Sequence, residues 1–311
     1  MSDREEAYRG FQAHGGIADL SGRLKLRLVG SDRVRYLNGQ VTANVQRLEI
    51  GHALAACVTT AKGKLSAEVV LHATSEALYI DADPLLRETL PDRLARYIIA
   101  DDVEVEDVTE SFHLIHLTGE IAPASDLADS AVYADRHRRY GRAGWDLLLD
   151  DSAFQASWPE LTSRLVQLDP ELQETLRIEA GVPRWGAELN ADTLPPEAGL
   201  DRTHIDYHKG CYIGQEVISR LKSVGHVNRE LTGFVAVENA SIEAGMAIFA
   251  PDNPDKPIGL LTSTTFSFAL EKQIALGYLR RGAAFPELLA RSAGGTGAAI
   301  RIVPHHLPFL S

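Results

Sequence analysis

Between residues 231 and 303 the chain repeats one local pattern. LTGFVAV, GMAIFA, PIGLLTST, IALGYL and AAIRIV are short apolar stretches separated by glycine, proline and charged turns. Each is too short for a stable helix and long enough for a strand. A row of such strands leaves two edges open to other chains unless the sheet curls shut. Residues 229–311 are therefore expected to form a small antiparallel β-barrel. GGTG at 294–297 has no Walker lysine beside it and reads as a loop.

The preceding residues mix strands and helices. In RLKLRLV, Leu24, Leu26 and Leu28 alternate with Lys25, Arg27 and Val29, which marks a half-buried strand. SDRVRYLNGQVTANVQRL follows, with Ser31 or Asp32 as N-cap and Val34, Leu37, Val41 and Val45 at near-helical spacing. HALAACVTT and AEVVLHATSEALYID read as buried strands joined by an AKGK turn, PLLRETLPDRLARYII as a helix, and DDVEVEDV as a strand with a solvated face. Further on, FHLIHLTG and WDLLLD are strand-like, whereas LTSRLVQL and PELQETLRIEAG are helical. The stretch 186–208 is rich in Pro, Asp and Gly, and loops of that length are usually functional or linkers. The expected class is α+β. Two mixed α/β domains with antiparallel sheets (1–110, which could be discontinuous, and 111–228) precede the barrel (229–311).

The 311 residues carry 31 basic and 43 acidic side chains, a formal charge of −12, which repels a phosphate backbone and argues against a broad nucleic-acid footprint. The two cysteines, Cys57 and Cys211, exclude a disulfide scaffold and a permanent cluster held by four cysteines of one chain. No apolar run reaches the length of a membrane span. The opening MSDREEAYRG lacks an apolar signal core and is too acidic for a transit peptide, so a cytoplasmic, bacterial protein is expected.

The densest chemistry lies in HKGCYIGQEVISRL, residues 208–221. Val217, Ile218 and Leu221 are spaced for a helix starting after Gly214. Cys211 then precedes a helix N-terminus with Lys209 two residues away, a setting that favours thiolate over thiol. A small buried thiol is the alternative. Cys57, in the apolar ALAACV, reads as core. His204, His208 and Cys211 would suit a metal only on one continuous helix, which Gly210 opposes, so both histidines are expected in solvent-facing loops and no metal site is expected. His137, His305 and His306 are expected at the surface. ETLRIEAGVPRWGAEL brings Arg177, Glu179 and Arg184 close to Trp185. A carboxylate there suits the paired N–H donors of an aminopterin ring, and arginines suit a carboxylate tail; routine ion pairs at a solvated helix end are the alternative. Trp145 in GRAGWDLL reads as a stacking wall or as core.

KGCYIGQEVISR resembles the K-G-C-[FY]-x-G-Q-E-x-x-x-R signature of the YgfZ family of folate-binding iron–sulfur assembly or repair proteins, through Lys209, Gly210, Cys211, Tyr212, Gly214, Gln215, Glu216 and Arg220. RIEAGVPRWGAEL with PPEAGL, ADLSGRLKLRLVGSDRVRYLNGQVTANV and IGLLTSTTFSFALEKQIALGYL resemble the wider family shared with the glycine-cleavage T-protein. The resemblance implies three domains around a central opening that binds tetrahydrofolate. It also implies a role in supporting [4Fe–4S] enzymes, including radical enzymes that modify tRNA, with Cys211 and Lys209 as the reactive pair. Iron–sulfur client enzymes or assembly factors would be partners, and any cluster would be transient and shared. Glu179 matches the T-protein stretch R-x-E-A-G; Tyr79 and the Gly144–Asp146 stretch, with Trp145 and Asp146, fall where that family lines its pocket, and with Arg177 and Arg184 these are the expected folate-binding residues. The T-protein's catalytic aspartate has Glu88 at the matching offset after Asp81-Ala82. A folate-dependent aminomethyl or methyl transferase is the competing reading, and whether the chain is an enzyme stays open at this point.

Overall fold

The computed structural model describes residues 3–119, 121–238, 240–292 and 298–310, so the GGTG stretch lies outside the described residues. The chain opens with α1 (Asp3–His14), β1 (Gly16–Asp19), β2 (Leu24–Val29), α2 (Arg33–Gln40), β3 (Leu54–Thr59), β4 (Leu65–Ala73) and β5 (Leu78–Ala82). It continues through α3 (Thr89–Ala95), β6 (Glu104–Asp107), β7 (His113–Thr118), α4 (Ser125–Ser130), β8 (Tyr133–His137) and β9 (Gly144–Leu149). Then come α5 (Asp151–Arg164), β10 (Val166–Gln167), α6 (Pro170–Glu179) and α7 (Gln215–Ser223). The barrel strands follow: β11 (Arg229–Ala236), β12 (Ala247–Ala250), β13 (Asn253–Ser267), β14 (Lys272–Arg280), β15 (Leu288–Arg291) and β16 (Ile300–His305).

Three sheets result, and the expected α+β class holds. The first runs in the order β3-β4-β5-β2-β6 and the second β10-β1-β7-β9-β8; the third is a closed six-stranded barrel. On one face of the first sheet Leu24, Leu26, Leu28, Val58, Val69, Leu71 and Ile80 pack against Tyr36 and Leu37 of α2 and Leu90 and Leu94 of α3. Each such aliphatic side chain contributes roughly 1.5–3 kcal/mol on burial. The other face is solvated only toward its end, where Arg27 and Val29 stay partly exposed. Lys25 is 2% exposed, and its ammonium donates to the carbonyls of Ser21 and Arg23. That face looks toward the second sheet, where Ala77 and Tyr79 meet Leu114, Tyr133 and Leu148. The far face of the second sheet is closed by Phe154 and Trp158 of α5 over Ile17, Ile115 and Leu147.

The sheets do not follow the 110/111 division. β1 pairs with β7 and β10, and α1 packs with it through Tyr8 and Phe11 on Leu172 and Leu176 of α6. The segment 3–19 thus belongs with the second sheet. After α6 the chain returns to the first one: Leu189, Ala198 and Leu200 cover Cys57 and Leu65. The Pro- and Gly-rich stretch is therefore a packed cover. Helix α1 had no signal in a polar opening with two spaced aromatics. PLLRETLPDRLARYII yields only α3 after a short 3₁₀ turn at Pro84–Leu86, and LTSRLVQL is split between the end of α5 and β10. In the barrel, β15 adds a strand to the five anticipated, and β11 pairs with β16 to close it.

Candidate functional site

The two facing sheets and the barrel surround a cavity of about 1850 Å³, larger than ordinary small-molecule pockets of about 300–1,000 Å³. Five of its arginines, Arg23, Arg136, Arg139, Arg177 and Arg184, come from four different segments, and Trp145 and Trp185 add aromatic surface. Alternation along the strands explains which side chains arrive. Glu68 and Val70 of β4 point to the face that carries Asp81 of β5. Val69 pairs with Ala82, so Glu68 and Asp83 lie side by side at the cavity wall.

Behind this wall lies a buried polar layer between the sheets. Arg139 donates from Nε to Asp146 at 2.7 Å and from Nη2 to Asp81 at 2.5 Å, while Arg23 reaches Asp81 at 2.5 Å. Asp146 also accepts from Nδ1 of His116 at 2.8 Å and of His137 at 2.7 Å, and His72 pairs with Asp135 at 2.8 Å. Burial alone would raise the Asp146 carboxyl, but the charge of Arg139 and the two imidazoles hold it well below the ordinary carboxylate range. For His116 burial wins over its Asp146 partner and pulls the pKa down. Its Nε2 has no partner and faces Gly144, where a Cβ would stand 2.8 Å from it. Asp146 is thus a buried strut that fixes Arg139 rather than a cavity-lining group. His137 is 15% exposed and engaged, not a surface residue.

Among the other anticipated residues, Trp145 lines the cavity with the Arg136 guanidinium 5.2 Å above its ring. Arg177 lines it too, held by Glu174 at 2.5 Å, Glu188 at 3.0 Å and Ser263 at 2.8 Å. Arg184 lines it and meets Glu174 at 3.5 Å. Tyr79 is buried beside Tyr133 in the joint between the sheets and does not line the cavity. Glu179 does not line it either. Its carboxylate accepts from Tyr8 at 3.0 Å and Ser267 at 2.6 Å, which ties α1 to the barrel, and burial raises its pKa. Its helix turns it away from Arg177 toward the opposite side.

The KGCYIGQE segment is positioned by contacts with the first sheet. Lys209 is 7% exposed, and its ammonium donates to the carbonyls of Asn38 (2.6 Å), Val41 (2.8 Å) and Ala43 (2.6 Å). Those carbonyls lie at and just past the end of α2. Burial brings the Lys209 pKa down to about 8. Its donors are committed to the backbone, so it is a staple rather than a partner for Cys211. Cys211 itself is exposed and outside the cavity lining. Gly210 has open space around it, Tyr212 is buried with an unpartnered hydroxyl, and Gln215 opens α7, on which Glu216 and Arg220 are exposed. Cys57 is buried, and burial pushes its thiol well up.

Gly214 shows why the motif needs its second glycine. Its φ is +89°, and a Cβ would stand 2.5 Å from the Thr60 carbonyl oxygen. Gly214→Ala is expected to destabilise the protein by about 2–3 kcal/mol, read as an earlier denaturant midpoint at unchanged slope. A wild-type midpoint would show that the hairpin yields.

His204 departs from the solvent-facing expectation. Its Nε2 sits 3.3 Å from Glu68 Oε1 at the cavity wall, and its Nδ1 is 2.7 Å from the Thr203 hydroxyl. His208 is exposed. Among the described residues no group of three or more His, Cys, Asp or Glu side chains could hold a metal ion. No helix among them is long and apolar enough to cross a membrane. Glu88, at the offset expected for a catalytic acid, is exposed and absent from the cavity lining; Asp83, five residues earlier, is present in it. Sequence reading missed Glu68 and Asp83. Their signal was a carboxylate placed within or directly after an otherwise apolar buried strand.

Two facing sheets and a terminal barrel thus surround an arginine-rich cavity. Residues 229–307 match the glycine cleavage T-protein C-terminal barrel domain. An aminomethyltransferase of Streptomyces avermitilis is 24% identical over 99% of this chain and 87% of its own length. A chloroplastic protein of Arabidopsis thaliana, named only as a transferase, is 28% identical over 90% of this chain and 68% of its own. The crystal structure of the glycine cleavage system aminomethyltransferase T from Bartonella henselae superposes with a TM-score of 0.82 at 20% identity, covering 95% of this chain and 86% of that one. The likeness is to the fold of that structure and, over residues 229–307, to that barrel domain.

Proposed function

We propose that the central cavity binds a reduced folate and that the chain transfers a one-carbon group, aminomethyl or methyl, to or from it. The observation that carries this reading is the cavity itself: seven arginines and two tryptophans beside the adjacent carboxylates Glu68 and Asp83. Arginine forks suit the carboxylates of a glutamyl tail, and the indoles suit a flat ring. The aminomethyltransferase names of similar proteins support the same reading. Bound folate would supply nitrogen atoms that carry the one-carbon unit. The chain's own part is to orient that ligand with Arg139 and Trp145 and to move a proton through Asp83. Backbone N–H of Leu85 donates to Asp83 Oδ1 at 3.0 Å, fixing the carboxylate at the cavity edge.

Tetrahydrofolate should quench tryptophan fluorescence saturably through Trp145 and Trp185. With an aminomethyl donor, turnover should fall roughly a hundred-fold or more in Asp83→Asn while binding persists. Absence of binding, or turnover indifferent to Asp83, rejects the proposal.

A second reading, a folate-binding accessory protein for [4Fe–4S] enzymes, is favoured by one observation: the cysteine of the KGCYIGQE motif is exposed and outside the cavity. There it could meet a partner protein. Loss of [4Fe–4S] enzyme activities under oxidant stress in cells carrying only Cys211→Ala, with folate binding intact, would select it.

A further inference from the structure

We infer that His137 is a second catalytic residue of the cavity, a general acid that protonates the atom from which the one-carbon unit departs. This deepens the transferase reading and rests on it, adding a proton donor to the proton-handling role given to Asp83.

Among the described residues, the cavity lining includes two histidines, His137 and His204. His204 has both ring nitrogens engaged, Nε2 with Glu68 at 3.3 Å and Nδ1 with Thr203 at 2.7 Å. His137 has one nitrogen engaged. Its Nδ1 lies 2.7 Å from Asp146 Oδ2, whereas its Nε2 has no partner among the described residues and is not sealed from the cavity. The imidazole is 15% exposed and the carboxylate behind it fully buried. An imidazole that gives Nδ1–H to a buried carboxylate and turns Nε2 to a cleft is oriented to pass a proton to a bound reactant.

Strand alternation makes this arrangement. Tyr133, Asp135 and His137 of β8 share one face, and the first two meet His72 of the first sheet. His137 is the last residue of β8, where that joint opens into the cavity. Its cross-strand partner, Gly144, has no side chain to cover the ring. His116 stands edge-on to it, with ring centres 6.4 Å apart and 81° between the planes. The Asp146 carboxylate is itself fixed by Arg139 at 2.7 Å and His116 at 2.8 Å. Arg139 continues to Asp81 at 2.5 Å. Asp83 follows two residues later, just past the end of β5, and lines the cavity. His137 and Asp83 thus reach one cavity from different sheets, joined by an unbroken chain of ion pairs.

Transfer of a one-carbon unit needs a proton at two places. The bond from carbon to the donor's heteroatom breaks, and that atom keeps the electron pair and takes the proton from Nε2 of the His137 imidazolium. A bond from the same carbon to the accepting nitrogen forms, and that nitrogen's proton passes to the Asp83 carboxylate. His137 ends neutral and Asp83 protonated; one proton returned from Asp83 to His137 through water restores both. The buried Asp146 carboxylate offsets the charge of the imidazolium. Asp83 alone would have to serve both atoms in turn.

Turnover with tetrahydrofolate and an aminomethyl donor should fall roughly a hundred-fold or more in His137→Asn, whose amide keeps a donor near Asp146, while tetrahydrofolate binding persists. Imidazole in solution should restore part of the rate in His137→Ala; pyrazole, of the same shape and far less basic, should not. A measurement on wild type needs no turnover. Diethyl pyrocarbonate acylates open imidazole nitrogens, and peptide mass mapping should find His137 modified in the free protein and shielded by bound tetrahydrofolate. If wild type binds no tetrahydrofolate, the folate reading fails and the role of His137 with it. Turnover that depends on Asp83 but survives His137→Asn, or a His137 that bound tetrahydrofolate leaves fully reactive, overturns the assignment of His137 alone. The labelling result decides even where a variant does not fold.

Discussion

Lys209→Met should lower stability by about 3 kcal/mol or more and leave the alkylation rate of Cys211 unchanged. The methionine stem fills much of the same volume but donates nothing. The carbonyls of Asn38, Val41 and Ala43 lose their common donor, and each buried, unsatisfied acceptor carries its own desolvation cost. Denaturant unfolding measures the first effect and iodoacetamide kinetics the second. The opposite result, slow alkylation with unaltered stability, would make Lys209 the activator of Cys211 that its spacing implies.

Asp146→Asn should cost about 3–5 kcal/mol, the usual consequence of removing one member of a buried ion pair. Arg139, His116 and His137 all direct donors at this carboxylate. An amide accepts at only one atom and presents a donor to the others. The pH dependence has a definite sign. The His116 pKa is lower in the fold than in the unfolded chain, so its contribution is present above about pH 6.5 and is lost as pH falls through the folded value. Asp146, also depressed, adds a second loss below the ordinary carboxylate range. Wild type should therefore weaken in two acid steps, and the variant should lack the second. Unfolding free energies from pH 8 to pH 3 check this; an unchanged acid profile in the variant would remove Asp146 from the account.

The sequence revealed more of the fold than of the site. Short strands with turn residues forecast the barrel, and helix spacing after Gly214 forecast α7. What it hid was partnership across distance. Lys25 looks like the wet side of β2 yet is buried, because alternation reports two faces without saying what covers each. The carboxylate expected to face the cavity is Glu179; those that line it include Glu68. Local pattern could not choose between them: one sits at a helix end two residues past Arg177, the other on a strand covered by a loop more than a hundred residues later. Lys209 shows the same limit. Two positions from Cys211 in sequence, it spends its donors on a helix end reached only through tertiary structure.

The bond between Tyr8 and Glu179, with Ser267 behind it, has a temporal meaning during synthesis. The segment 3–19 emerges from the ribosome well before its partners, since its strand partners end at residue 167 and its helix rests on α6. Until those residues follow, β1 waits as an unpaired edge. The first sheet, whose strands lie between residues 24 and 107, has all its partners long before that. Residues 3–19 are thus secured later than the sheet that follows them in the chain.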